Sequence, residues 1–313
     1  MHQLVVNSAP SLYRGYQYQQ LPESNTVSPT TQIRSPILNM ADVEALDTRA
    51  ARHETPCGNG TMIWRKWGQG TPVVLFHGGS GSWTHWVKNI PALAGEFEVW
   101  AADIPGLGDS ADAPDMTTPL SCAQIAADGL RELIPAERRP QLVCFSFGSH
   151  VGTLMAGMVG DHLRNMLIIG TAALGIKRPP FNFPKEHSSM TDAEKLAVHR
   201  GVLEILMLSK SERIDDLAIA LQADNIRKAR FRSRVHAGSD AVRKELANVK
   251  IPLRTIWGAN DIVAYPNVES VLEILAEHHP GLQTRLIPDA GHWVMYEQAE
   301  AFNSALLEML RQD

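Results

Sequence analysis

Three side chains in this sequence have the types and the order needed for nucleophilic acyl chemistry: Ser146, Asp261 and His292. The segment Leu142-Val143-Cys144-Phe145-Ser146-Phe147-Gly148 is an apolar strand pattern running into a serine, then into a helical pattern containing Gly148 and Gly152. A serine on such a sharp strand-to-helix turn holds its hydroxyl at the carboxyl edge of a sheet, beside backbone N–H groups of the helix start. Small residues two before and two after it let strand and helix approach closely. Cys144 stands where the pattern G-x-S-x-G has its first glycine, and its side chain is small enough that only a modest steric adjustment is expected. Taken alone, the serine could equally be a helix cap.

Downstream, Ile256-Trp257-Gly258-Ala259-Asn260-Asp261 places a carboxylate just past a strand, and Ala290-Gly291-His292-Trp293 places an imidazole just past the next. A lone loop aspartate or histidine is ordinarily solvated or capping. Here serine, acid and histidine each follow a successive core strand, in an order that serine enzymes use. Upstream, the strand pattern 73–76 ends in His77-Gly78-Gly79-Ser80-Gly81-Ser82-Trp83, a glycine-rich turn able to aim a backbone N–H at a developing oxyanion. The loop from Asp103 to Ser110 is too glycine-rich for a helix or strand interior, and its aspartates read as structural.

These residues need a scaffold, and the chain supplies one by alternating short apolar runs with longer helical patterns. Strands are predicted at 61–67, 72–77, 98–103, 141–146, 166–170, 253–258 and 284–288, with helices at 121–134, 147–160, 268–278 and 297–311. That alternation builds an α/β fold: a mostly parallel, doubly wound sheet covered by helices on both faces. Residues 173–249 break the rhythm. They offer no strand, only a proline-rich entry (Pro179, Pro180, Pro184) and then helical segments, the first announced by Thr191 and Glu194 at capping-box spacing. An inserted helical lid is expected there, dividing the core into 41–172 and 250–313. Residues 1–40, rich in Gln, Ser, Thr, Asn and Pro without periodicity, read as a flexible leader.

Composition removes several function classes. With 29 basic and 34 acidic residues among 313, the formal charge is -5, without the basic excess that nucleic-acid binding requires. No run of 18 apolar residues suggests a membrane span, and the N-terminus lacks the pattern of a signal peptide. Cys57, Cys122 and Cys144 are odd in number and widely spaced, which fits reduced thiols and a cytoplasmic location better than a disulfide framework or a zinc site.

From about residue 62 to 310 the chain resembles the α/β-hydrolase superfamily. The pairing of His77-Gly78-Gly79 with Gly291-His292-Trp293 is similar to its lid-bearing branch of meta-cleavage-product hydrolases, esterases and cofactor-free haloperoxidases. The resemblance implies Ser146 as nucleophile, His292 as base, Asp261 as the acid that orients it, and the Gly79 and Phe147 amides as the oxyanion hole. Some relatives place the acid after the sixth strand, but 170–175 contains no Asp or Glu. Relatives that remove halide from alkyl carbons use an aspartate nucleophile, which Ser146 replaces here. The implied reaction is hydrolysis of a small or medium apolar carboxylic ester through an acyl-enzyme, with no metal or organic cofactor. Alternatives are carbon–carbon bond hydrolysis of a vinylogous diketo acid, perhydrolysis by the same triad, and a ligand sensor on the same fold. The partner is a small-molecule substrate, and the oligomeric state is left open.

Outside the triad, His77 is expected to shape its turn, and His85 and His150 to pack or face solvent. Ser80, Trp83 and Trp293 fall near the expected pocket mouth, although large aromatics more often pack in a core. The basic run Arg227, Lys228, Arg230, Arg232 and Arg234 has two readings. It is a solvated helix face paired with acids such as Asp215 and Asp216, or it supplies an arginine that binds a substrate carboxylate.

Overall fold

The computed structural model describes residues 39–312. Eight strands form one sheet: β1 (Ala51–Cys57), β2 (Gly60–Trp67), β3 (Thr71–Phe76), β4 (Phe97–Ala102), β5 (Gln141–Phe145), β6 (Asn165–Ile169), β7 (Leu253–Gly258) and β8 (Gln283–Ile287). Their spatial order is β1-β2-β4-β3-β5-β6-β7-β8. Pairing is antiparallel from β1 through β2 to β4 and parallel across the remainder.

The central strands are buried on both faces. In β3, Val74 and Phe76 pack into one hydrophobic layer and Val73 and Leu75 into the other, and none of the four is exposed. This explains why β3 and β5 are continuous apolar runs rather than alternating ones. The seven strands expected from sequence all form, each within one residue of its expected ends.

Strand β1 was not expected. Its sequence, Ala-Arg-His-Glu-Thr-Pro-Cys, is polar and contains Pro56, both marks of an edge strand covered on one face. It pairs with β2 through a two-residue turn at Gly58-Asn59, where Gly58 takes a φ of 54°. Before it, the helix Met40–Thr48 begins at Asn39, which forms a capping box with Asp42. The expected leader, apart from its last two positions, lies outside the described residues.

Within 173–249 the described chain is helical and irregular. The helix Asp192–Val202 starts at Thr191, whose hydroxyl accepts the Glu194 N–H while Glu194 accepts the Thr191 N–H at 2.7 Å, as its spacing predicts. A π turn Leu203–Met207 follows, then the helix Asp216–Lys228 and the short helix Ala241–Glu245. Fully buried Asn225 joins this segment to the glycine-rich turn: its side chain bonds the hydroxyls of Ser82 (2.7 Å) and Thr84 (3.1 Å). Among the described residues no helix is long and apolar enough to cross a membrane.

Candidate active site

Strand β5 stops at Phe145, and the helix Phe147–Val159 begins one residue after Ser146. Ser146 therefore forms the elbow alone, with φ 52° and ψ -114°, a left-handed conformation that costs a side-chain-bearing residue about 1–3 kcal/mol. The surroundings hold it there. Its N–H donates to Ile169 O at 2.8 Å, and its carbonyl accepts the Ser149 N–H at 2.9 Å. Gly148 is required by close approach, because a Cβ there would lie 2.6 Å from His77 O and 2.7 Å from Phe76 O. Gly152 answers Cys144: a side chain at Gly152 would collide with the Cys144 sulfur. The departure from G-x-S-x-G is thus absorbed by a glycine one helical turn further on.

Asp261 and His292 reach the same point from β7 and β8. His292 Nε2 lies 2.9 Å from Ser146 Oγ, and Nδ1 lies 2.9 and 3.0 Å from the two Asp261 carboxylate oxygens. The hydrogen-bond pattern assigns a proton to Nδ1, donated to the carboxylate, which leaves Nε2 free to accept from the serine hydroxyl. Asp261 is itself fixed, since its Oδ1 accepts the Val263 N–H at 2.8 Å. Both Asp261 and His292 are buried. Gly170, a residue not singled out from sequence, leaves room for the pair: a Cβ there would sit 2.9 Å from the imidazole and 3.1 Å from Asp261 Oδ2.

The glycine-rich turn is held by two neutral imidazoles. His77 Nδ1–H donates to Gly78 O at 2.8 Å, and its Nε2 accepts the Ile104 N–H at 2.9 Å. His85 Nδ1 accepts the Gly78 N–H at 3.1 Å. Burial lowers the pKa of His77 and pushes that of His85 well down, the latter helped by His77 and His292, which suits both rings to accepting hydrogen bonds. So His77 shapes the turn as expected, and His85 does more than pack. Asp103 and Asp109 are structural as read: they flank Arg65, and Asp103 also accepts the Trp83 N–H at 2.7 Å. Gly79 and Phe147 come side by side at Ser146, and among the described residues neither amide has a hydrogen-bond acceptor.

A cavity of about 610 Å³ opens over Ser146. Ser80 lines it, as expected, but Trp83 and Trp293 do not. Trp83 is buried against Trp67, with the Arg65 guanidinium 5.0 Å from its ring. Trp293 is buried, stacks on Tyr296 at 4.2 Å, and donates its indole N–H to His85 O. Both therefore pack in the core.

The cavity wall joins Arg234 of the basic run and His150 to several residues that the sequence did not single out. Phe181, Phe183, Leu206 and Met207 form apolar wall, while Lys177, Arg178, Arg234, His150 and Gln222 supply polar groups, with no Asp or Glu among the described residues that line it. The Arg178 guanidinium is 5.3 Å from Phe181, and that of Arg234 lies 4.3 Å over Phe183. Desolvation lowers both arginine pKa values, opposed at Arg178 by the charge of Asp261, and neither arginine has an ion-pair partner among the described residues. Three others of the basic run pair with carboxylates outside the cavity: Arg227 with Asp224, Lys228 with Asp109 and Asp224, and Arg230 with Asp112. Arg227 and Lys228 lie in the last turn of the helix Asp216–Lys228, as the reading of a solvated helix face expects, whereas Arg230 lies past its end, and Asp215 and Asp216 are not partners of any of the three. Among the described residues no cluster of three His, Cys, Asp or Glu side chains could hold a metal ion.

The sequence pattern of the α/β-hydrolase family matches residues 73–305. The chain is 28% identical over 260 residues to a dihydrolipoyllysine-residue acetyltransferase component of an acetoin-cleaving system from Pseudomonas putida, covering 77% of this chain but only 64% of that protein. It is 25% identical to 2-hydroxy-6-oxo-6-phenylhexa-2,4-dienoate hydrolase of Burkholderia cepacia, over 78% of this chain and 88% of that one. Identity to the pimeloyl-[acyl-carrier protein] methyl ester esterase of Vibrio cholerae is 26%, over 79% and 97%. Among solved structures, a serine hydrolase involved in carbazole degradation shares the fold with a TM-score of 0.66 at 21% identity, covering 84% of this chain and all of that one. With the family pattern spanning both halves of the sheet and reaching from β3 past His292, the chain belongs to the α/β-hydrolase family.

Proposed function

We propose that the protein hydrolyses carboxylic esters of small or medium, largely apolar acids, with Ser146 as nucleophile. The observation that carries this reading is the unbroken line of hydrogen bonds from Asp261 through His292 to Ser146 at the floor of an apolar-walled cavity. In the proposed cycle His292 Nε2 takes the serine proton, the alkoxide attacks the ester carbonyl, and the Gly79 and Phe147 amides hold the oxyanion. Asp261 keeps the imidazole in the productive tautomer. Protonated His292 then gives its proton to the departing alcohol, and water deprotonated by His292 releases the acid from Ser146. The segment 173–249, whose Phe181, Phe183 and Arg234 wall the cavity, is proposed as the lid.

The test is a fluorophosphonate label together with a panel of p-nitrophenyl esters. The wild type should take one label and turn over, whereas Ser146→Ala should take none and lose activity by a factor on the order of a million if chemistry limits the rate. A labelled or active Ser146→Ala would overturn the assignment. A second reading, hydrolysis of a carbon–carbon bond in a carboxylate-bearing substrate, is favoured by the unpaired Arg178 and Arg234 in the cavity wall. The similarity to a hydrolase named for a dienoate points the same way.

A further inference from the structure

Glu297 lies five residues beyond His292, at the end of the short helix Val294–Glu297, and its side chain is fully enclosed. Its carboxylate accepts from two separate stretches of chain. On one side Oε2 takes the Gly291 N–H at 2.6 Å, next to the imidazole-bearing residue. On the other side the Ser209 N–H reaches both oxygens at 3.0 Å, the Ser209 hydroxyl reaches Oε1 at 2.8 Å, and the Lys210 N–H reaches Oε1 at 3.1 Å. The nearest cation, Arg213, stands 3.6 Å from Oε1. A carboxylate satisfied mainly by backbone and hydroxyl donors is a joint, since each of those donors loses its only charged acceptor if the group is changed.

What the joint connects gives it meaning. Ser209 and Lys210 follow the π turn Leu203–Met207, closed by Leu208 N–H to Leu203 O at 2.9 Å, and its Leu206 and Met207 line the cavity. Met207 O accepts the Trp293 N–H at 2.7 Å, so the residue after His292 is tied to the same turn. The two segments touch at backbone level, for a Cβ on Gly291 would lie 2.8 Å from Ser209 N. Wall and base are therefore locked together on both sides of His292.

We infer that Glu297 is a positioning residue: it holds the His292 loop in register with Ser146 by fixing it to the cavity-wall segment 203–210. The consequence for rate rests on the proposed role of Ser146 and His292, but the placement of the imidazole does not. Glu297→Gln turns an amide N–H₂ toward N–H donors on at least one side of the joint. The experiment compares wild type, Glu297→Gln and Ser209→Ala for kcat and KM on a short p-nitrophenyl ester, normalised to titrated active sites. It also records the low-field proton resonance of His292 Nδ1–H bonded to Asp261. Glu297→Gln should lose about 10- to 100-fold in kcat with KM changed by less than about threefold, and its Nδ1–H resonance should broaden or vanish while the fold persists. Ser209→Ala, which removes only the hydroxyl donor, should move both readouts less and in the same direction, and it decides the matter if Glu297→Gln does not fold. Wild-type kcat per site together with an undisturbed Nδ1–H resonance would overturn the inference. A wild type that neither hydrolyses nor labels would instead count against the Ser146 reading, leaving the resonance to judge Glu297.

Discussion

Cys144 illustrates how single residues set the local geometry. It is wholly buried and its sulfur fills the space left by Gly152, while burial raises its thiol pKa well above the ordinary range and so keeps it unreactive. Restoring the commoner glycine should therefore harm stability without helping chemistry. Cys144→Gly leaves a void between sheet and helix and adds strand entropy, and is expected to cost about 1–3 kcal/mol in urea unfolding with kcat per active site unchanged. A large change in kcat would mean that Cys144 tunes the elbow itself. At this scale Ser146, Asp261 and His292 were legible because each follows an apolar run. Trp83 and Trp293 belong to the core and not to the pocket mouth, since proximity in sequence to a pocket residue says nothing about the direction of a large ring. On the 3₁₀ turn Trp83–Trp86 and at the start of Val294–Glu297, both indoles turn into the layer beneath the sheet.

Among the elements, the buried strands carry a clear sequence signal and the inserted segment only a coarse one. Parallel strands buried on both faces announce themselves by uninterrupted Val, Ile and Leu, whereas polar β1 at the sheet edge carries no such signal. The basic run shows the limit of periodicity. Arg227 and Arg230 make surface ion pairs, but Arg234 on the 3₁₀ turn Ser233–His236 and Arg178 in the proline-rich entry reach the cavity. No helical repeat relates those two. An unpaired guanidinium beside a phenyl ring in a partly dry wall is suited to a carboxylate. Arg178→Ala and Arg234→Ala should each lower kcat/KM for a carboxylated ester by tenfold or more, about 1.4 kcal/mol, while sparing its neutral analogue. Equal small effects on both substrates would assign these arginines to the wall alone.

Over the whole molecule, buried histidines make stability depend on pH. His150 sits on the helix behind Ser146 near His236, and burial together with that neighbour depresses its pKa to about 4. The unfolded chain then binds a proton that the folded protein refuses, so stability rises with pH between about 4 and 6.5 and falls as pH drops through that window. His77 and His85, depressed by burial as well, act in the same sense. Urea unfolding should show the protein less stable at pH 5 than at pH 7.5. His150→Phe should reduce that difference by up to about 2 kcal/mol, since pH 5 lies about 1.5 units below the unfolded pKa and still above the folded one. An unaltered difference would remove His150 from the effect.

Local chain pattern is enough for the sheet, the elbow and the order of the three candidate catalytic residues, because period, apolar runs and small residues at turns belong to short stretches of chain. Folding of the whole chain sets what depends on direction and on meetings between distant segments. It closed the Asp261–His292–Ser146 line of hydrogen bonds across 146 residues of chain, set Gly170 beneath the imidazole, and chose Arg178 and Arg234 over their neighbours for the cavity. It also brought Glu297 between Gly291 and Ser209. A carboxylate at the end of a helix reads from sequence as ordinary surface charge, and its partners 88 residues away appear only when the chain has folded.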